Sequence, residues 1–578
     1  MKKRLFVLIL MLATLNASGW EREYIWPAGK MPDRQKHQVA TMTDEQYKPD
    51  FNPDTHREPY LEWFDAPAPE VRNGGCMILI SGGGYETCCD IQYIKKWREA
   101  YTALGFQCVN FVYRTPRPEG LPVYRSAWED GQRAVRMVRS EARKRGYDPE
   151  KIGAIGMSAG SHLLLLLATS SQTPAYEKID RIDKYSCHLN WAIANSPAYV
   201  TTDAEDGTAA IFQGYGPDVK LSEIFKFDGK TCPISLHHGG ADIYSPNGST
   251  LIYSKLHEMG IPAELHLYPN KPHMELGTER GFEFVRQLGI LGPLEPEVPL
   301  MDRFASDSDR AEYIKEPVWP DGKMPFRQAH QEEPYIEWHF PKVLKTKAIQ
   351  IIYSGGSYMS SRPDGYEAAP ARRYLNEMGM TVVTLRYRTP RPGGMSKHVS
   401  AWQDLQRTVR IVRSRAAGYG LDPGQIGIMG CSAGGHLTLM GVTSSLQQSY
   451  LPIDDIDTLS GSVQWGVGIY PAYVLTDDDE EGYNTRRGLG EGVTFHPEFN
   501  FDMATCPMFL IHGDADEVSS IISVRIWEKM RAMGIQSELH TLALRDHGFQ
   551  KTASPGTGSY NFLDRIAEWM RTIVKFDD

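Results

Sequence analysis

Eight cysteines in 578 residues are too few for a disulfide scaffold, which small secreted domains build at much higher density. Positive charge is also in deficit. Against 72 Asp and Glu stand 62 Lys and Arg, a net charge of -10, which argues against nucleic acid as a partner. Past residue 15 no apolar run approaches the roughly 20 residues of a membrane-spanning helix. No His, Cys, Asp or Glu group stands at metal-ligand spacing, and no G-K-[ST] follows a glycine-rich loop. Neither a metal nor any other cofactor is expected.

What is present is a short motif, twice. Residues 156–160 read G-M-S-A-G and residues 430–434 read G-C-S-A-G. Each follows an apolar run (Ile152 to Ile155, Ile426 to Met429) and precedes a helix-forming stretch. In that context G-x-S-x-G is a nucleophile elbow, a sharp strand-to-helix turn that exposes a serine hydroxyl. An Asp follows each Ser by 84 residues (Asp242, Asp516), and a His follows each Asp by 31 (His273, His547). Ser…Asp…His is the chain order of the α/β-hydrolases, so two such domains in tandem are expected.

The repeat extends through both halves. Trp26-Pro27 and G-K-M-P at 29–32 match Trp319-Pro320 and G-K-M-P at 322–325; P-Y-L-E-W (59–63) matches P-Y-I-E-W (334–338). An apolar strand then ends in S-G-G-G-Y (81–85) or S-G-G-S-Y (354–358), and a second ends in Y-R-T-P-R-P (113–118, 387–392). Amphipathic helices are expected from Trp128 to Arg145 and from Trp402 to Ala417. Strands alternating with helices mean a mostly parallel sheet with helices on both faces and chemistry at the carboxyl ends of the strands. The extra residues Thr41 to Arg57 of copy one, polar and rich in Asp and Pro, read as a surface loop.

The expected organisation is a signal peptide at 1–19, a first domain at 20–290, a linker at 291–315 and a second domain at 316–578. Lys2, Lys3 and Arg4 precede the apolar run Leu5 to Leu15, and Ala17, Ser18 and Gly19 follow, a secretory pattern with cleavage near Gly19–Trp20. Export to the periplasm or beyond the cell is expected, with no membrane span. No Cys lies at the cleavage region, which argues against a lipid anchor.

A serine hydroxyl needs a base to become a nucleophile, and the base needs a buried carboxylate to orient it. Ser158, Asp242 and His273 are the expected catalytic residues of copy one, and Ser432, Asp516 and His547 those of copy two. Asp514 competes with Asp516, but copy one has Gly240 at that position. His238 and His512 are expected to brace the acid turn, and His266 and His540 to be structural strand residues. The oxyanion should be held by main-chain N–H groups of the glycine loop and of the residue after Ser. These are Gly83, Gly84 and Ala159 in copy one, and Gly356, Ser357 and Ala433 in copy two. Tyr85 and Tyr358 stand beside these loops, either flanking a sugar ring or packing in the core. Cys232 and Cys506, alike in the two copies, read as buried thiols, and Cys431 as a packing residue.

The run S-G-G-G-Y, then Y-R-T-P-R-P, then D-P-x-K-I-G-x-x-G-x-S-A-G-x-H, then Y-P-A-Y, resembles bacterial carbohydrate acetylesterases, the acetylxylan-esterase and feruloyl-esterase-like branch of the α/β-hydrolases. The resemblance covers each copy nearly end to end. It implies a serine esterase acting on acetylated carbohydrate, with the triads carried over onto the six residues above. The chain departs from the family at His273, which Met274 and Glu275 follow where His-Gly-Phe is usual; copy two keeps His547-Gly548-Phe549. Alternatives are a feruloyl esterase, a serine peptidase, or one catalytic domain beside a carbohydrate-binding pseudo-hydrolase. Oligomeric state is not legible.

Overall fold

A computed structural model describes residues 20–577 apart from 47, 50, 90, 205–212, 216–217, 304–312 and 479–486. The expected signal peptide lies outside these residues. No helix among them is long and apolar enough to cross a membrane.

Sixteen strands of the described residues form one sheet running through both copies. From one edge the order in copy one is Trp20–Tyr24, Tyr60–Phe64, Gln107–Val112, Cys76–Ile80, Ile152–Met157, Trp191–Asn195, Ile234–Gly239 and Ala263–Tyr268. Copy two continues in mirrored order: Glu538–Leu542, Met508–Gly513, Trp465–Ile469, Ile426–Cys431, Ile349–Tyr353, Thr381–Arg386, Tyr335–His339 and Ile314–Pro317. Within each copy six strands are mutually parallel, and two further strands extend that edge by successive antiparallel pairings. The central strands read as unbroken apolar runs because helices cover both faces. The chain therefore folds as two α/β-hydrolase domains in tandem.

The repeated motifs outside the active sites do one job together. Arg114 of Y-R-T-P-R-P reaches Asp130 on the helix Arg125–Arg145, with Nε 2.9 Å from Oδ2, and Trp26 Nε1 donates to the same carboxylate at 2.7 Å. Copy two repeats this with Arg388, Asp404 and Trp319, the helix being Val399–Ala416. Both ion pairs are fully buried, a setting that demands every charge be paired and hydrogen-bonded.

The copies join edge to edge. Strands Ala263–Tyr268 and Glu538–Leu542 pair antiparallel, with Leu267 opposite Leu539 and His266 opposite His540. Asp514, the rival acid of the sequence, belongs to this seam. Its Oδ1 accepts from Tyr253 Oη at 2.8 Å and lies 3.2 Å from His257 Nδ1, while its Oδ2 accepts from Ala263 N at 3.0 Å. Copy one has no room for the same residue. A Cβ on Gly240 would lie 2.7 Å from the Pro269 carbonyl oxygen, so the seam is not symmetric.

Two expectations need correction. The insertion at 41–57 is not simply a surface loop: Thr41 and Met42 are buried, Met42 lies opposite Cys88 in a short parallel bridge, and Thr43 N donates to the Cys88 carbonyl, just past the glycine loop of copy one. The apolar Met42 side chain gives that end a core to join. The stretch read as linker also carries structure. Val298–Pro299 pairs with Thr552–Ala553, and Ile314–Pro317 supplies the far edge of the sheet.

Candidate active sites

Both serines sit where an apolar strand turns sharply into a helix. Ser158 follows Ile152–Met157 and precedes Ala159–Thr169; Ser432 follows Ile426–Cys431 and precedes Ala433–Thr443. Their backbones are left-handed, φ 56° and 54°, a conformation that costs a non-glycine residue about 1–2 kcal/mol and persists only where its surroundings enforce it. The flanking glycine is a spatial necessity. A Cβ on Gly160 would lie 2.4 Å from the Ser81 carbonyl oxygen, and one on Gly434 2.7 Å from that of Ser354.

The acids and bases come from neighbouring strand ends. In copy one, His273 Nδ1 stands 2.9 Å from Asp242 Oδ2; in copy two, His547 Nδ1 stands 2.9 Å from Asp516 Oδ2. On its other side, His547 Nε2 is 2.9 Å from Ser432 Oγ, which completes a Ser–His–Asp relay. Copy one brings Ser158 and His273 to the same strand ends, but among the described residues no hydrogen bond links them. Such links tighten when substrate binds.

His238 and His512 do more than brace a turn. Each places Nε2 3.3 Å from Oδ2 of its Asp, the oxygen that the base also approaches, and each is anchored at Nδ1 by Ser249 or Ser523 at 2.8 Å. Burial pushes both acids up, but two imidazoles apiece overcome it and hold Asp242 and Asp516 below the ordinary carboxylate range. Burial likewise pulls His547 down, yet the Asp516 bond and charge leave it raised. A base so poised accepts a serine proton readily.

The glycine loops lie against the serines: a Cβ on Gly82 would lie 3.0 Å from Ser158 Cβ, and one on Gly355 2.8 Å from Ser432 Cβ. No hydrogen bond among the described residues uses the amides of Gly83, Gly84, Ala159, Gly356, Ser357 or Ala433. The glycine loops are left-handed through Gly83, Gly84 and Tyr85 and through Gly356, Ser357 and Tyr358. A Cβ on Gly83 would lie 2.1 Å from the Thr87 carbonyl oxygen. Tyr85 and Tyr358 are core residues, bonded to His162 Nδ1 at 2.7 Å and His436 Nδ1 at 2.8 Å. All eight cysteines are free thiols, and burial raises Cys431 well above the ordinary thiol range.

The walls differ. His273 packs edge-on against Tyr244 at 4.7 Å, whereas His547 packs against Tyr470 at 4.6 Å, a residue from another strand end. Copy two also carries Glu367, whose carboxylate accepts from Gly355 N at 2.8 Å. A Cβ on Gly355 would contact both Ser432 and Glu367. Burial raises the Glu367 carboxyl. Sequence comparison of the copies missed it, because it lies in a stretch of copy two longer than its counterpart.

The BD-FAE family profile matches residues 65–200 and again residues 337–467. The matched segments hold both glycine loops and both serines and stop short of the acids and bases. An acetylxylan esterase from Xylanibacter ruminicola is 26% identical over 242 residues, 39% of this chain and 46% of that protein. The esterase LipC from Mycobacterium tuberculosis is 28% identical over 236 residues, 37% of this chain and 56% of that protein. The chain thus spans about half the length of these relatives. The solved acetyl ester-xyloside bifunctional hydrolase from Caldicellulosiruptor lactoaceticus is 24% identical, covering 45% of this chain and 96% of that one with a TM-score of 0.38.

Proposed function

We propose that this tandem α/β-hydrolase, a chain resembling bacterial carbohydrate esterases, is an exported carboxylic ester hydrolase with two serine active sites that removes O-acetyl groups from polysaccharide or oligosaccharide. The observation that carries the reading is the Ser432–His547–Asp516 relay, with the same three residue types at matching strand ends in copy one.

In this mechanism His547 Nε2 takes the Ser432 proton as Oγ attacks the acetyl carbonyl. The tetrahedral oxyanion is held by the amides of Gly356, Ser357 and Ala433, a reading supported by the absence of any other hydrogen bond from these amides among the described residues. The imidazolium, steadied by Asp516, returns the proton to the departing sugar oxygen. Water then attacks the acetyl-serine by the same route, releasing acetate and restoring Ser432. Ser158, His273 and Asp242, with Gly83, Gly84 and Ala159, do the same in copy one, where substrate draws Ser158 onto His273. The pattern Lys2, Lys3, Arg4 and the apolar run after it support export.

The test is acetate release from acetylated xylan, pectin and other acetylated polysaccharides by the purified chain. Failure to release acetate from any of them, with p-nitrophenyl acetate also left intact, overturns the reading.

A further inference from the structure

The second copy holds a cluster that the first lacks and that the esterase chemistry does not use. His436 Nε2 lies 3.3 Å from Glu498 Oε1, and His398 Nδ1 lies 3.5 Å from the same oxygen. One ligand atom from each of the three falls within 4.8 Å of the others. A tetrahedral ion with bonds of about 2.0–2.1 Å needs donors about 3.3 Å apart, which these atoms approach. The sequence showed no metal-ligand spacing because the three donors lie 38 and 62 residues apart and meet only in the fold.

We propose that His398, His436 and Glu498 form a transition-metal site of the second copy, selective for Zn²⁺ over Mg²⁺ or Ca²⁺. Two imidazoles and one carboxylate are a borderline donor set that suits zinc, whereas the hard cations take oxygen shells. His436 is already oriented as ligating imidazoles are: its Nδ1 meets the Tyr358 hydroxyl at 2.8 Å, leaving Nε2 aimed into the cluster. The His398 and Glu498 side chains remain partly open, 13% and 19% exposed, which gives an ion an entry path and room for water as a fourth ligand. The neighbouring Lys397 ammonium lies over the Tyr473 ring, 4.0 Å from its centre.

Copy one shows what the site is without the ligands. His162 takes the place of His436 and keeps the bond to Tyr85, but Tyr124 and Ile224 stand where His398 and Glu498 do. Among the described residues its Nε2 is then buried with no partner. The same imidazole is thus an idle core group in one copy and one of three converging donors in the other. The ion would tie together three segments: the helix Ala433–Thr443, the start of the helix Val399–Ala416, and the loop before Phe499. Through Tyr358 it would also steady the oxyanion loop of the second site.

The experiment uses the full chain, stripped by chelator and dialysed, with Zn²⁺ titrated by calorimetry and Co²⁺ followed by visible absorption. One equivalent of Zn²⁺ per chain is expected, with Co²⁺ giving a d–d spectrum of nitrogen and oxygen ligation. His398→Tyr and Glu498→Ile install the residues that copy one already tolerates. Each should weaken zinc at least tenfold while far-UV circular dichroism is unchanged. Tyr358→Phe should weaken it while keeping the stoichiometry. Should one variant misfold, the other still decides the matter. No uptake at micromolar free Zn²⁺, or equal uptake by the wild type and the His398→Tyr/Glu498→Ile double variant, would overturn the site and leave Glu498 as a hydrogen-bonded bridge between two histidines.

Discussion

His266 and His540 share a hydrogen bond of 2.7 Å between their Nδ1 atoms across the seam of the two copies. The chain of bonds continues outward, from His266 Nε2 to Glu264 at 3.0 Å and from His540 Nε2 to Glu538 at 2.8 Å. Three bonds in series need three protons, and two neutral imidazoles supply two. The third sits on a carboxyl. Burial makes this possible, pushing Glu264 and Glu538 up to about 8 and both histidines far down.

Stability should therefore depend on pH through this seam. A carboxyl raised in the folded state contributes stability that is complete below the unfolded range and lost as pH rises through about 8. A histidine held neutral does the reverse, gaining as pH rises through its unfolded value of about 6.5. Over about pH 4.5 to 6.5 the two neutral histidines outweigh the one carboxyl proton held, so stability should rise with pH. From there to about 8 stability should fall, by about 1.4 kcal/mol per pH unit for each proton held, and then level off. Urea melts at pH 6, 7, 8 and 9 check this. Glu264→Gln/Glu538→Gln should flatten the decline, and an unchanged slope would refute the proton count.

The two Asp residues of H-G-D-A-D should separate cleanly. Asp514→Ala leaves Tyr253, His257 and the Ala263 amide without their buried acceptor and should destabilise the chain by about 2–4 kcal/mol. Asp516→Ala should cut turnover at the second site with a smaller loss of stability. Melting curves and single-site kinetics, measured in a Ser158→Ala background, tell these apart.

Both sites should turn over. Ser158→Ala and Ser432→Ala should each leave activity on p-nitrophenyl acetate, and the double variant should fall by roughly 10⁴-fold or more. If one single substitution abolishes hydrolysis of every acetyl ester tried, the other copy is not an enzyme.

Rates should drop steeply from p-nitrophenyl acetate to octanoate, because the sequence after each glycine loop, 86–90 and 359–368, offers no long apolar stretch to serve as a lid. A preference for octanoate would favour a lipase-like site.

The two sites should differ in position or sugar. Tyr244 walls one base and Tyr470 the other, and Glu367 stands only in the second. Acetate released by Ser158→Ala and by Ser432→Ala from one acetylated oligosaccharide should come from different hydroxyls by NMR. Identical regiochemistry would leave plain duplication.

Duplication made much of this legible. Ser158, Asp242 and His273 stood out because Ser432, Asp516 and His547 repeat their spacing, and their Asp–His pairs do form. Gly240 in copy one argues against Asp514 as the acid, yet its place at the seam is hidden in the sequence, since its partners lie more than 250 residues away. His266 and His540 read correctly as structural, but strand pairing between copies leaves no local trace in either strand. Glu367 and the cluster around His436 belong to one copy alone. There a repeat gives no second reading.

The continuous sheet also makes the molecule a ruler. Seven strand steps separate the elbow strands Ile152–Met157 and Ile426–Cys431. At about 4.8 Å each, that is on the order of 34 Å along the sheet, fixed by hydrogen bonds rather than by a flexible tether. Because the seam is antiparallel, the strands of the two copies run in opposite directions, and Ser158 and Ser432, each at the carboxyl end of its strand, lie at opposite ends of the sheet. If both copies are active, a short substrate meets one serine at a time and the rates of the two sites should simply add, with no gain in affinity from joining the copies.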